Sequence, residues 1–459
     1  MKILLTQSYL IARDPPEKRI MRPFPPLGIM SLAESLRVNG FDVFIIDNTF
    51  EPNLNSFEKW ISDNKPILVG ISSVEISRKT SIEMTRIASD RGSFVILGGP
   101  DPVHARDELF NAGADWICDG EGENTIVELA RTLVKGQNNE VKNVKGLYLR
   151  KNGSEIYTGK RDLISNLDSI PMPAWDIIPI DRYIKAWSGK HGESALHVIS
   201  SRGCPRSCKW CSRSVFGKTL RRRSAKTFVE EIEFLKRTYS PDYFWFADDS
   251  FTSSESWLRD FENELSLRNL SIQYECLGRV DEVNDEIAKI LSRTGARLIW
   301  LGAESGSQRV LDSMSKGFRI EDIYRTREII KSSNIKVGFF IMLGYPPENL
   351  DDIYLTVKLV RELKPDKIGV SIAYPICGTD FYNSVISESN KSKSWTSSGE
   401  NRPIFNTKYS RMFYKFARRF ILKEAQIALN GMNQSFTDST KLNIYKAGTR
   451  IFSFGSGAK

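Results

Sequence analysis

Residues 201–217 read SRGCPRSCKWCSRSVFG, and three of the chain's six cysteines stand inside them, at 204, 208 and 211. Structural zinc takes four closed ligands, as two C-x2-C pairs or as cysteine with histidine. No fourth ligand stands at such a spacing: Cys276 and Cys377 belong to later strands, and His191 and His197 precede the run singly. A redox C-x2-C would leave Cys204 without a role. Three thiolates suit a [4Fe–4S] cluster with one iron left open for a substrate or cofactor. Arg202, Arg206, Lys209 and Arg213 favour the thiolate form and balance an anionic cluster. Cys204, Cys208 and Cys211 are therefore the expected metal ligands, with zinc as the alternative.

Outward from this run, the spacing of apolar residues predicts what carries it. SALHVISS (194–201) reads as a strand, and DYFWFADD (242–249), SIQYECL (271–277), ARLIWLGAE (296–304), KVGFFIML (336–343) and DKIGVSIAY (366–374) continue the series. Helical patterns such as AKTFVEEIEFLKRTY and DDIYLTVKLVRELK separate them. Six βα units are too few to close an eight-stranded barrel, so an open, TIM-type (β/α)6 partial barrel is expected over 194–385. Its chemistry belongs at the carboxyl-end loops, and the cysteines occupy the first of these.

Residues 1–140 read as a second α/β unit, a doubly wound parallel sheet. Its strands are KILLTQ (2–7), DVFIID (42–47), ILVGISS (67–73), FVILGG (94–99) and DWICDG (115–120). The helices between them, 27–40, 77–92 and 103–113, each close on glycine, and 124–136 comes as the last. Ligands of such sheets sit beyond the carboxyl ends of the strands. Those ends hold Ser72, Ser73 and Val74, then Gly98, Gly99 and Pro100, then Gly120, Glu121 and Gly122. Small residues there admit a bulky ligand; they serve equally for tight turns in a domain that only packs on its neighbour. Residues 141–193, with a hairpin signal at Asn152-Gly153 and the proline-rich SIPMPAWDIIPIDRY, form a linker that straps the two units.

The net charge is +9, but residues 391–459 hold thirteen Lys and Arg against Glu400, Glu424 and Asp438, so the rest of the chain is balanced. No apolar run is long enough to span a membrane, and MKILLTQSYL reads as a buried strand instead of a signal peptide. A cytoplasmic protein with reduced thiols is expected. The basic extension, 386–459, is expected to be mainly helical. KYSRMFYKFARRFILKEAQIALNG (408–431) is amphipathic, and its Met412, Phe413, Phe416, Phe420 and Leu422–Ile427 suit either a cap on the barrel or peripheral contact with an anionic membrane.

C-x3-C-x-aromatic-C, with Trp210 as the aromatic, resembles the signature of the radical S-adenosylmethionine superfamily. FADDSF (246–251), LGAESGSQRVLDSMSKG (301–317), GFFIMLGYPPEN (338–349) and AYPICGT (373–379) resemble the strand-end motifs of its subgroup with an N-terminal, flavodoxin-like cobalamin-binding domain. That group includes magnesium-protoporphyrin monomethyl ester cyclase-like and lipid-modifying members. PPLGIMSLAESLRVNGFDVFIID and LGGPDPVHARDEL resemble the cobalamin domain itself, and GKTLRRRS (217–224) falls on an R-x-R-S segment of the subgroup, which makes its arginines a feature of the fold and not a nucleic-acid patch.

The resemblance implies S-adenosylmethionine on the open iron, cleaved by one electron to methionine and a 5′-deoxyadenosyl radical. Trp210, Asp248, Asp249, Glu304, Ser305 and Gly344 are then S-adenosylmethionine-binding; Asp248 and Asp249 serve equally well as a helix cap. The nine residues at the first sheet's strand ends become cobalamin-binding. The product is a methylated carbon of a lipid-like or other small-molecule substrate, or a ring or oxidised centre as in tetrapyrrole and isoprenoid-lipid pathways. The electron comes from flavodoxin or ferredoxin. A zinc or electron-transfer module is the non-enzymatic alternative.

Two departures from the family pattern stand out. The D-x-H-x-x-G loop of methionine-synthase-type domains is absent, since SYLIARDPPEKRIMRPFPPLG (8–28) has no histidine, so cobalamin would lack that axial ligand. His104 is assigned no role. Cys377 replaces a proline–glycine turn at the last strand's end, either as a hydrogen donor to a substrate radical or as a small buried hydrophobe.

Overall fold

The computed structural model describes residues 2–212, 215–386, 395, 397, 400–430 and 436–454. Two parallel sheets organise it. The first has the order β2-β1-β3-β4-β5-β6-β7. Its strands are β1 (Lys2–Gln7), β2 (Asp42–Ile46), β3 (Leu68–Ser72), β4 (Phe94–Gly98), β5 (Trp116–Cys118), β6 (Leu147–Lys151) and β7 (Ser154–Tyr157). The first five are parallel, in the flavodoxin-like order 2-1-3-4-5. Their central residues are mostly apolar because both faces of the sheet are covered: Ile3 and Leu5 enter one core and Leu4 the other. A helix at Asn55–Asn64 was not expected; it buries only Phe57 and Ile61, too few apolar positions to mark a period.

The hairpin at Asn152-Gly153 does not belong to a free linker. β6 pairs antiparallel with β5, Ile117 opposite Tyr148, and extends the first sheet by two strands. The strap proper begins after β7 and is anchored by Trp175, whose indole N–H donates to Glu231 at 2.9 Å.

The second sheet has the order β15-β14-β13-β12-β11-β8. Its strands are β8 (Ala195–Val198), β11 (Tyr243–Phe246), β12 (Tyr274–Gly278), β13 (Ala296–Glu304), β14 (Lys336–Leu343) and β15 (Lys367–Ile372), all parallel, the six expected. A two-residue ladder, β9 (Ser201–Arg202) with β10 (Arg221–Arg222), closes the base of the cysteine loop.

The helix Arg411–Asn430 packs on β15 and on the helix Leu350–Leu363. Phe413, Ala417, Phe420 and Ile421 are buried in the barrel's own core. The phenylalanine face is therefore a structural cap and is not available to a membrane. A second helix, Phe436–Phe452, lies on the first. Gly448 permits that approach, since a Cβ there would stand 2.4 Å from the Phe416 ring. Most of the linker at 391–403 lies outside the described residues.

Candidate active site

The cysteine loop crosses the barrel mouth under restraint from two later segments. Lys209 N donates to Met314 O at 3.1 Å, and Lys209 O accepts from Phe381 N at 3.0 Å. Trp210 packs on a small core that includes Val310, Met314, Tyr345 and Phe381. Cys208 is buried, Cys204 and Cys211 are half-buried, and none is in a disulfide. Cations stand close by: Arg279 Nη1 is 3.7 Å from Cys208 Sγ, and Lys316 Nζ is 4.9 Å from the Trp210 ring centre. Arg206 is held by Glu282 at 2.8 Å, and Arg213 lies outside the described residues. Among the described residues, no three His, Cys, Asp or Glu side chains converge on a single metal ion. A cubane holds each thiolate on a different iron, so its ligands surround a volume and do not meet at a point. Three reduced thiols beside a guanidinium fit a [4Fe–4S] cluster.

The strand-end acids divide between access and support. Asp248 is fully buried and accepts from Ser200 N at 3.2 Å, from Ser200 Oγ at 2.6 Å and from Ser201 Oγ. Asp249 beside it is exposed, and its carboxyl is held above the usual range by desolvation and by Asp248. Glu304 is buried with a left-handed backbone (φ 60°) and accepts from Lys316 Nζ at 3.1 Å. Ser305 is fully buried against Thr356. Gly344 N donates to Glu348 at 2.5 Å, while Tyr414 of the capping helix packs on the glycine's face.

Between the carboxyl ends of the two sheets lies a cavity of about 610 Å³. Gly99, Pro100, His104 and Gly120 line one wall; Cys211, Lys209 and Cys377 line the other. Gly99 is required here: its φ is +106°, and a Cβ would sit 2.6 Å from Ser73 O. Adjoining the cavity, a slot of about 140 Å³ enters the first sheet between strand ends. Its walls include Leu5, Ile71, Ile96 and Cys118, with Gly28, Ser72, Gly98 and Gly122 at the rim. Ser73 is buried beside it, and Val74 points to solvent. An apolar slot opening onto a wide cavity fits cobalamin, whose flat nucleotide base needs apolar walls and whose ring needs the open space.

The chain matches the Radical SAM superfamily over residues 198–360 and the B12 binding domain over residues 20–130. It is 30% identical over 396 residues to an uncharacterized methyltransferase of Pyrococcus horikoshii, covering 84% of each chain. The chain belongs to the radical SAM superfamily. An anaerobic magnesium-protoporphyrin IX monomethyl ester cyclase of Synechocystis is 26% identical, over 78% of this chain and 72% of that one. The fold is shared with the cobalamin-dependent radical enzyme OxsB, at a TM-score of 0.75 and 17% identity over 99% of this chain and 72% of that one.

This radical SAM enzyme therefore has a [4Fe–4S] cluster, S-adenosylmethionine and cobalamin as its cofactors, and a small molecule as its substrate. No described helix is long and apolar enough to cross a membrane.

What the sequence reading missed in the radical SAM protein is its seam. Glu121, expected to touch cobalamin, lines the slot, but its carboxylate is taken up by Arg202 at 2.9 Å, Arg221 at 2.8 Å and Ile164 N at 2.7 Å. Glu123 holds Arg202 from the other side at 2.5 Å; burial raises its pKa, but Arg202 more than offsets this and holds the carboxyl below its usual range. Arg222 donates to the carbonyls of Ser250 and Phe251, and Arg223 to Glu231, so the arginine run is spent inside the fold. Tyr374 adds a bond to Glu75 at 2.7 Å. The R-x-R-S run and the GEGE turn were the available signals, but nothing in either names the other as partner.

Proposed function

We propose that this enzyme methylates an unactivated carbon of a small molecule held in the cavity of about 610 Å³ between the sheets. The observation that carries the reading is that one cavity is lined by Cys211 and by the loops around the cobalamin slot. Bound there, the cluster and S-adenosylmethionine supply a 5′-deoxyadenosyl radical, and cobalamin supplies a transferable methyl group. The chain's part is to hold these groups, orient the substrate and keep water out. Cys204, Cys208 and Cys211 ligate the cluster, while Trp210 and Asp249 face S-adenosylmethionine and Gly344, bonded to Glu348 and packed on Tyr414, backs the strand end. Asp248, Glu304 and Ser305 act behind them by holding the loops. The relative from Pyrococcus horikoshii, called a methyltransferase, supports this reading.

Ring formation or oxidative rearrangement is the second reading, favoured by the cyclase relative and by Cys377. This thiol lines the cavity, bonds to Tyr382, and is kept protonated by burial. A hydrogen atom passed from its sulfur to a substrate carbon radical forms C–H and leaves a sulfur radical. That radical takes up a proton and one electron from a flavodoxin- or ferredoxin-type donor.

Peripheral membrane contact falls in this reading to the second C-terminal helix, where Ile444 and Ile451, with Phe454 just beyond, are exposed beside Lys441, Lys446 and Arg450. Anaerobic turnover, read by mass, tests the main reading: a gain of about 14 mass units marks methylation, whereas a rearranged product of unchanged mass (hydrogen returned by Cys377) or one lighter by hydrogen (oxidation) transfers support to the second.

A further inference from the structure

We propose that Arg279 tunes the cluster, by donating an N–H to the Cys208 thiolate and so making the cluster easier to reduce. The inference rests on Cys204, Cys208 and Cys211 being the cluster's ligands. Arg279 stands just past the end of β12 and is 8% exposed. Its Nη1 stands 3.7 Å from Cys208 Sγ. The rest of the guanidinium is fixed. Nε donates to Asp281 Oδ1 at 2.9 Å, and Nη2 donates to Asp281 Oδ2 at 3.2 Å and to Lys316 O at 2.7 Å. The Phe318 ring lies 5.7 Å from its central carbon. Three bonds and a ring thus set the plane and leave Nη1 aimed at the sulfur.

The neighbouring cations differ in this respect. Arg206 is turned to Asp281 and Glu282, and Lys316 to Glu304. Because Asp281 offsets much of its charge, Arg279 acts chiefly through a directed hydrogen bond and not as a bare charge. Reduction adds an electron whose charge spreads to the thiolates, and N–H donors to sulfur favour that more negative state. A lysine cannot reproduce the effect fully, since one ammonium on a flexible stem cannot hold Asp281, the Lys316 carbonyl and a sulfur in one plane.

The test uses the full chain, reconstituted anaerobically, as wild type, Arg279→Gln and Arg279→Lys. Iron content and the midpoint potential are measured without S-adenosylmethionine, so that any contact with its carboxylate cannot contribute. With iron retained, Arg279→Gln should lose about tenfold in the reduced-to-oxidised ratio at fixed potential, a shift of about −59 mV for one electron. Arg279→Lys should fall between. Full iron with an unchanged potential overturns the proposal. If Arg279→Gln loses iron, Arg279→Lys decides by the same criterion, and loss of iron from both makes Arg279 a loop support and also overturns it. Wild type that binds no iron would sink the cluster reading itself, whatever the variants do.

Discussion

The cysteine loop and the glycine-rimmed slot build binding sites by opposite means. In the loop, as proposed, side chains are the site: Cys204, Cys208 and Cys211 would supply the donors, and the fold has only to hold them at the barrel mouth. In the slot, side chains are mostly kept away, and the site is the space left between β1, β3, β4 and β5 where Gly28, Gly98 and Gly122 carry nothing. A donor site is lost when one residue type changes. A shape site is lost when a residue of any type intrudes. The two stand on different sheets; they share the cavity between them and are joined at the seam, where Arg202 and Arg221 from the loop's base reach Glu121 and Glu123 from the slot's rim.

The largest effect is expected at the loop. Cys208→Ala should abolish iron binding and 5′-deoxyadenosine formation while cobalamin still binds; loss of cobalamin as well would show that the sites are not independent. Glu121→Ala should cost about 3–5 kcal/mol in denaturant unfolding, because it takes the carboxylate from the buried Arg221 guanidinium and leaves Arg202 with Glu123 alone, and it should impair both cofactors together. A stability change near zero would mean that the seam is not a joint.

An intermediate effect is expected behind Gly344. Burial raises the Glu348 carboxyl from 4.5 to about 8, and its Oε1 has no hydrogen-bond partner among the described residues. The native state therefore keeps a proton that the unfolded chain gives up near 4.5, and stability should fall as pH rises from there through about 8. Glu348→Gln should remove that dependence and gain about 1–3 kcal/mol at the alkaline end, seen as melting temperatures that no longer diverge with pH. An unaltered pH profile in the variant would show that Glu348 is not its source.

Gly28→Leu sharpens the contrast from the other side. Among the described residues nothing lies within 4 Å of a Cβ at Gly28, and leucine suits a helix better than glycine, so folding and iron content should hold. Cobalamin affinity should drop at least about tenfold, or ~1.4 kcal/mol, in a titration monitored by absorbance. Undiminished binding would place cobalamin elsewhere. The smallest effect concerns the surface: each Lys or Arg near an anionic membrane contributes about 1 kcal/mol, screened by salt. Ile451→Asp with Lys446→Glu should weaken low-salt binding to phosphatidylserine vesicles several-fold without loss of iron, and no binding by wild type would remove the membrane from consideration.

Much of this architecture was legible in the sequence. The six barrel strands and the first five of the other sheet are apolar because they are covered on both faces, and such runs mark themselves. The helix at Phe436–Phe452 was expected only as part of a mainly helical extension and not at its own bounds, because Gly448 and several polar and β-branched residues interrupt its pattern; it packs on Phe416. The phenylalanine stripe of Arg411–Asn430 was legible as apolar but not as a cap, since the same pattern serves a lipid surface or a barrel. The hairpin at Asn152-Gly153 was legible as a hairpin but not as part of the first sheet.

The sequence by itself was enough to propose the cluster ligands, because ligand chemistry resides in residue type and the three cysteines are neighbours along the chain. Only the tertiary structure decided which acids are open and which are engaged: Asp249 is exposed, while Asp248, Glu304 and Glu121 are bound by partners of the fold. The partners that settle this come from afar, Arg202 81 residues from Glu121, Arg221 100 residues from it, and Arg279 71 residues from Cys208. Local spacing can announce a carboxylate or a guanidinium, but the bond each makes depends on which distant segment the fold sets against it.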